Sequence, residues 1–306
     1  MKAFGLMFIL LCLQGFASAQ VCEKGRVELQ VLGAGGPELG DGMASSSYLI
    51  WLDGKSRILI DAGTGSSLNF EKAGGRIEEL SAVAFTHLHI DHSADWPGYV
   101  KASYFTQKQG KLEVLGPKGN RFVPANSEFQ QQVFGRVWSY MADHLKPSNS
   151  LYIQAHDIEA RKNPWKKDFP SFSLSAINVE HGPIPALAWR VDIAGCSLVF
   201  SGDTNGKGNN LTRLSRRADL LIAHNAVPSS ASGAALNLHM PPSRIGEIAE
   251  KAGVYHLLLS HRMLRTLGRE RETIAQIKKF YSGKVAFAED LQKVSLGYAL
   301  EANSAK

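Results

Sequence analysis

Four potential metal donors crowd into six consecutive residues of this chain, in the segment Thr86-His87-Leu88-His89-Ile90-Asp91-His92. The short apolar run at 82–85 reads as a buried strand, so the donors stand where a strand leaves its sheet. Alternate side chains of an extended segment share a face, which sets His87, His89 and Asp91 on one side. A turn after Asp91 then brings His92 toward the same centre. Imidazole and carboxylate groups packed this tightly are costly without a cation. The set suits Zn²⁺, with Fe²⁺ or Mn²⁺ as alternatives.

A sheet-edge site of this kind wants donors from other strands, and three are suitably placed. His181 follows a strand ending near Val179 and precedes Gly182-Pro183. Asp203 lies in Ser201-Gly202-Asp203-Thr204, after a strand at 198–200, and His261 follows a strand at 257–259. The glycines allow backbone to approach an ion closely. His144, His156 and His256 have no convergent partners and are read as structural or surface residues.

Strands are expected at 27–32, 48–52, 57–60, 82–85, 111–115, 173–179, 186–193, 197–200, 220–223 and 256–259. Helices are expected after Gly65, over 127–145, from Ser243 and over 269–280. In the second of these Phe129, Val133, Val137 and Met141 stand four apart. The interleaving defines an α/β chain, and its strand-rich start suggests two sheets. Residues 117–170, rich in polar and aromatic side chains, read as an insertion or lid.

The set His87, His89, Asp91, His92, His181, Asp203 and His261 resembles that of the metallo-β-lactamase-fold hydrolases, over a span from Val27 to about Leu291. The resemblance implies an αββα four-layer sandwich. It implies two divalent ions: His87, His89 and His181 on one, Asp91, His92 and His261 on the other, and Asp203 bridging. Finer features are similar to the ribonuclease Z and arylsulfatase-like branch: Trp96-Pro97-Gly98, Leu115-Gly116-Pro117-Lys118-Gly119, Ser201-Gly202-Asp203-Thr204, and the Gly33–Gly36 stretch with Ser45–Ser47. His239 matches that branch's catalytic histidine, and His224 would stand behind a ligand in a supporting role. There are departures. Asn225 occupies the position of the branch's acidic residue, Met240-Pro241 follows His239, and no glycine- and lysine-rich arm for gripping transfer RNA is identified.

The N-terminus carries Lys2, an apolar run from Phe4 to Phe16 and the small residues Ala17-Ser18-Ala19. This is the pattern of a secretory signal peptide at 1–19, leaving a hydrolase domain at 20–306 and no stable membrane span. The mature chain would then be secreted or periplasmic, with Cys22 and Cys196 either joined in a disulfide or left as thiols. Composition excludes a collagen, a disordered tail or a multi-span membrane protein, at 44% hydrophobic and 20% charged residues. The net charge of +6 is spread rather than clustered, a mild hint toward anionic substrates.

The resulting expectation is a secreted dinuclear metal hydrolase of phosphodiester or related ester bonds, using a metal-bridging hydroxide. Two ions sharing a water lower its pKa, to roughly 7 for zinc. Asp91 would orient the nucleophile, and His239 would donate to the oxyanion or leaving group. A small or short anionic ester is the expected substrate, and transfer RNA is not. The alternatives are an arylsulfatase-like hydrolase, a lactonase or a β-lactamase on the same centre, and a non-catalytic binding module. Oligomeric state is not readable from the sequence, a homodimer being one option.

Overall fold

A computed structural model describes residues 22–297; the signal peptide expected at 1–19 lies outside the described residues. The first half of the chain builds one sheet from β1 (Val27–Gly33), β2 (Ser47–Leu52), β3 (Lys55–Ile60), β4 (Ala82–Ala84), β5 (Gly110–Pro117) and β6 (Leu151–Ile158). The second half builds another from β7 (Trp165–Asp168), β8 (Phe172–His181), β9 (Ile184–Ile193), β10 (Cys196–Phe200), β11 (Leu220–His224), β12 (His256–Ser260) and β13 (Lys284–Phe287). A last strand, β14 (Lys293–Ser295), returns to the first sheet beside β1. The spatial orders are β14-β1-β2-β3-β4-β5-β6 and β13-β12-β11-β10-β9-β8-β7.

The period-two alternation of these strands decides how the sheets pack. In β1 to β3, Val27, Leu29, Val31, Tyr48, Ile50, Ile58 and Ile60 point into the core shared with the second sheet, against Leu174, Trp189, Leu198 and Phe200. The alternate residues Leu49, Trp51 and Leu59 point the other way. There they meet Phe70 of α1 (Ser66–Lys72), Trp96 and Tyr99 of α3 (Trp96–Ser103), and Phe134. A short helix, α2 (Ile90–Ser93), precedes α3, and α4 (Asn126–Gln132) lies further along the same side. The second sheet is covered likewise. Val199, Leu221 and Leu257 pack on Leu211 of α5 (Asn210–Leu214), Ile245 and Ile248 of α7 (Pro242–Ala252), and Ile277 of α8 (Glu270–Ile277). Another short helix, α6 (Ala234–Leu238), precedes α7. Strands buried on both faces are apolar throughout, and the outcome is the expected αββα four-layer sandwich.

Two sequence expectations differ from the structure. The single helix at 127–145 is instead α4, a wide π-type turn at Val133–Val137 and a tight 3₁₀ run at Ser139–Leu145. The wide turn admits an extra residue and rotates the face. Phe134 therefore enters the core, fully buried, while Val137 of the anticipated stripe is 68% exposed. Residues 117–170 also do more than an insertion or lid would. They supply β6 and β7, the outermost strand at one end of each sheet. Their half-polar sequences hid these strands, because an edge strand with one solvated face lacks a continuous apolar run.

Cys22 and Cys196 are joined in a disulfide spanning 174 residues of sequence, tying the segment before β1 to the start of β10. Chain-entropy reasoning puts closure of so long a loop near its upper end, about 5 kcal/mol. Among the described residues, no helix is long and apolar enough to cross a membrane.

Candidate metal centre

Strand direction explains why distant residues meet. β8 runs antiparallel to β9 and β9 antiparallel to β10, while β10, β11 and β12 are mutually parallel. Hence β8, β10, β11 and β12 all end at one edge. His181 and His224 are the last residues of their strands, Asp203 follows β10, and His261 follows β12. From the first sheet β3 ends before Asp61, and β4 ends before the His87–His92 segment. The two halves are stitched together here. Leu187 N donates to Thr86 O at 2.8 Å, and Trp189 Nε1 donates to Phe85 O at 2.9 Å.

Two donor clusters result, and Asp203 belongs to both. The first is His87, His89, His181 and Asp203; the second is His92, Asp203, His224 and His261. In the first, His89 Nδ1 lies 3.0 Å from His87 Nε2 and 3.4 Å from His181 Nε2. Asp203 Oδ2 lies 3.6 Å from His181 Nε2 and 3.9 Å from His87 Nε2. In the second, Asp203 Oδ1 lies 3.3 Å from His261 Nε2 and 3.9 Å from His92 Nε2. Asp91 Oδ2 joins this side, 3.2 Å from His261 Nε2 and 3.5 Å from His92 Nε2. All seven expected ligands are thus brought together. His224 comes closer than anticipated, its Nδ1 donating to Asp203 Oδ1 at 2.7 Å. His239 Nδ1 stands 3.8 Å from Asp203 Oδ2. His144, His156 and His256 bond elsewhere, to Leu151 O, Glu113 and Tyr255 O respectively.

The residues fit a cation on two counts. His92 donates from Nδ1 to Asp61 Oδ2 at 2.8 Å, and His181 from Nδ1 to Leu238 O at 2.9 Å. Each bond turns the opposite ring nitrogen, Nε2, toward the centre, and His92 Nε2 is buried without a partner. Electrostatics agrees. Burial works to lower the His92 pKa, yet the carboxylates of Asp91 and Asp61 outweigh it and pull it up to about 9. The buried carboxylates therefore demand positive charge at this spot. Burial pushes His224 down to about 3 and His239 down to about 4, so both rings are neutral near pH 7.

Asp61 was missed by sequence reasoning. It is fully buried, adopts a positive φ of 56°, and accepts bonds from Thr86 N at 2.7 Å and Thr86 Oγ1 at 2.8 Å as well as from His92. Its one signal is a carboxylate at the end of an apolar strand, just before Ala62-Gly63. His261 also has a positive φ, 52°, an uncommon state for a non-glycine residue and one that clusters at functional sites. Gly36 makes room for it: a Cβ there would lie 2.7 Å from His261 Cε1. Behind His224, Tyr48 Oη lies 3.3 Å from Nε2 and 2.7 Å from Ser260 Oγ.

A four-layer sandwich with a buried histidine and aspartate centre at one sheet edge defines a metal-dependent hydrolase. The model of the family described as "Metallo-beta-lactamase superfamily" matches residues 40–237. The chain belongs to that superfamily, whose members bind divalent metals. A curated relative, the ribonuclease Z of Mycobacterium sp. (strain KMS), is 27% identical over 283 residues, covering 88% of this chain and 96% of that protein. The structure of the short form of human tRNase Z superposes with a TM-score of 0.70 at 21% identity, covering 89% of this chain and 100% of the human one. A diphosphatase from the PhnP family superposes with a TM-score of 0.64 at 17% identity, covering 90% of this chain and 98% of that one.

Proposed function

We propose that the chain is a dinuclear hydrolase of phosphodiester or related ester bonds. His87, His89 and His181 would hold one ion, Asp91, His92 and His261 the other, with Asp203 between them. Zinc is the ion this donor set suits best. The observation that carries the reading is the divided carboxylate of Asp203, with Oδ2 toward His181 and Oδ1 toward His261. The chemistry such ions supply is acidification of a shared water and neutralisation of the charge that builds on the ester. Asp91, at the edge of the second cluster, orients the attacking water. His239, with its neutral ring beside Asp203, donates a hydrogen bond to the developing oxyanion or the leaving group. The names of the ribonuclease Z relatives and of the diphosphatase support phosphoester chemistry as the class.

A panel of nitrophenyl phosphate, diester phosphate and sulfate, with a chromogenic β-lactam beside them, tests this with and without a chelator. Chelator-sensitive turnover is expected on the diester. The substitution His239→Ala should slow that turnover roughly 10²-fold or more while metal content stays intact. No chelator-sensitive turnover on any ester would refute the reading, and loss of metal in the variant would make His239 a ligand.

Export across a membrane is part of the same proposal. It is supported by the signal-like sequence at 1–19 and by a disulfide of a kind that persists in oxidising compartments. N-terminal sequencing of protein from the periplasm or medium is expected to start at Gln20. Recovery of the full-length chain from the cytoplasm would overturn it.

A further inference from the structure

We propose that the chain carries a second site, for a compact oxyanion of the phosphate class, in a cleft at the sheet edge opposite the metal centre, with Arg57 as its principal contact. β3 and β4 lead into the metal centre, and this cleft of about 620 Å³ lies at their other ends, closed on one side by residues 167–170 of the second half of the chain. Arg57 stands four residues before Asp61, roughly 13 Å along the strand, so an anion held here is separate from the ions' site. The sequence of β3 alone does not aim Arg57. The pairing of β2 with β3 slips between Ile50↔Ile58 and Trp51↔Ser56, which leaves Arg57 as the extra residue of a bulge. Bulges re-aim a side chain, and Ser81 N, donating to Arg57 O at 2.9 Å, pins this one.

The charges of the cleft decide the sign of its ligand. Each of its four carboxylates is already engaged. Glu78 and Glu79 pair with Arg76 at 2.6 and 3.5 Å, and Glu113 is shared by Lys111 at 2.7 Å, Lys167 at 3.3 Å and His156. Asp168 pairs with Lys166 at 2.9 Å. Asp53, a further carboxylate that feels the Arg57 charge, is gripped by Arg26 through two bonds of 3.0 Å. Three lining cations are left without a carboxylate: Lys55, Arg57 and Lys108. Lys108 donates to the carbonyls of Glu78 and Leu80. Arg57 is partly buried, its Nε is enclosed with no partner, and among the described residues its guanidinium makes no hydrogen bond or ion pair. Lys55, two residues away on the same wall, is exposed and equally unpaired. A partly buried cation without a counter-charge is costly, and a planar guanidinium matches the oxygens of a phosphate. A compact ion of one or two negative charges fits this surplus; a polyanion would meet the paired carboxylates.

The zinc-loaded full-length protein would be titrated calorimetrically with inorganic phosphate and, separately, with glycerol 3-phosphate; the tighter of the two identifies the source as the free ion or a phosphate ester. Arg57→Gln should weaken one phosphate site roughly tenfold or more, the scale of a charge-assisted hydrogen bond, and Arg57→Lys should recover part of the loss. Lys55→Gln should weaken the same site by a smaller factor. Phosphate held by the metal ions would survive all three substitutions, so isotherms unchanged by them would overturn the proposal. Without phosphate, Arg57→Gln should unfold at the same urea concentration as the wild type or a higher one, because the guanidinium has no bond to lose and its repulsion of Lys108 is relieved. A variant that unfolds earlier would make Arg57 a residue of the fold and overturn the assignment. Zinc content should be that of the wild type in every variant.

Discussion

Replacing Asp203 with alanine is expected to lower kcat/KM on a phosphodiester by about 10³-fold or more, the scale of losing a principal electrostatic contribution. Metal content should fall from two ions to one or none. The reason is geometric. Asp203 is buried, its two oxygens face different histidine sets, and His224 fixes its orientation from behind. Asp91 reaches only the side of His92 and His261, so it cannot take over the shared position. Metal analysis by mass spectrometry, run beside the kinetics, checks both halves. A variant that keeps two ions and wild-type turnover would sink the dinuclear assignment.

The second large effect is expected at Asp61, which touches no substrate. Its carboxylate accepts from Thr86 N, Thr86 Oγ1 and His92 Nδ1 in a fully buried position. Removing one partner of a buried pair typically costs about 3–5 kcal/mol, and losing the support of a ligand histidine typically costs about 10- to 100-fold in metal affinity or activity. Asp61→Ala should therefore unfold at clearly lower urea concentration and also bind zinc more weakly. Asp61→Asn serves as the control for the backbone, because Asn tolerates the positive φ found here. It should recover stability more than it recovers zinc affinity, since the amide cannot offer His92 the same negative charge. Wild-type zinc affinity in both variants would show that Asp61 acts on stability alone.

What could be seen in the sequence followed from how densely each signal was packed. The His87–His92 segment was legible because its donors are close together and follow a strand. His181, Asp203 and His261 were legible because each comes after an apolar run. Asp61 has the same placement, but a carboxylate before Ala-Gly reads equally well as an ordinary turn residue. Its role depends on His92, which stands 31 residues away and is joined to it only in three dimensions. The αββα layering was expected from the resemblance, and the alternation within β1 to β3 explains it physically. The short strands β7, β13 and β14 escaped because they are edge or near-edge strands of three or four residues. The wide turn at 133–137 escaped because no residue type marks it. The pairing of Cys22 with Cys196 was left open because two cysteines 174 residues apart carry no spacing information.

The centre draws His87, His89, Asp91 and His92 from the first half of the chain and His181, Asp203 and His261 from the second. Neither half holds a complete donor set for two ions. Metal uptake would therefore depend on both sheets being in place: a chain arrested with one sheet formed would lack the site. In the completed molecule the same linkage runs in reverse. Ions that bind only the docked sandwich stabilise it in proportion to the logarithm of their concentration. Supply of the divalent ion would then set how long the folded protein survives as well as how fast it turns over.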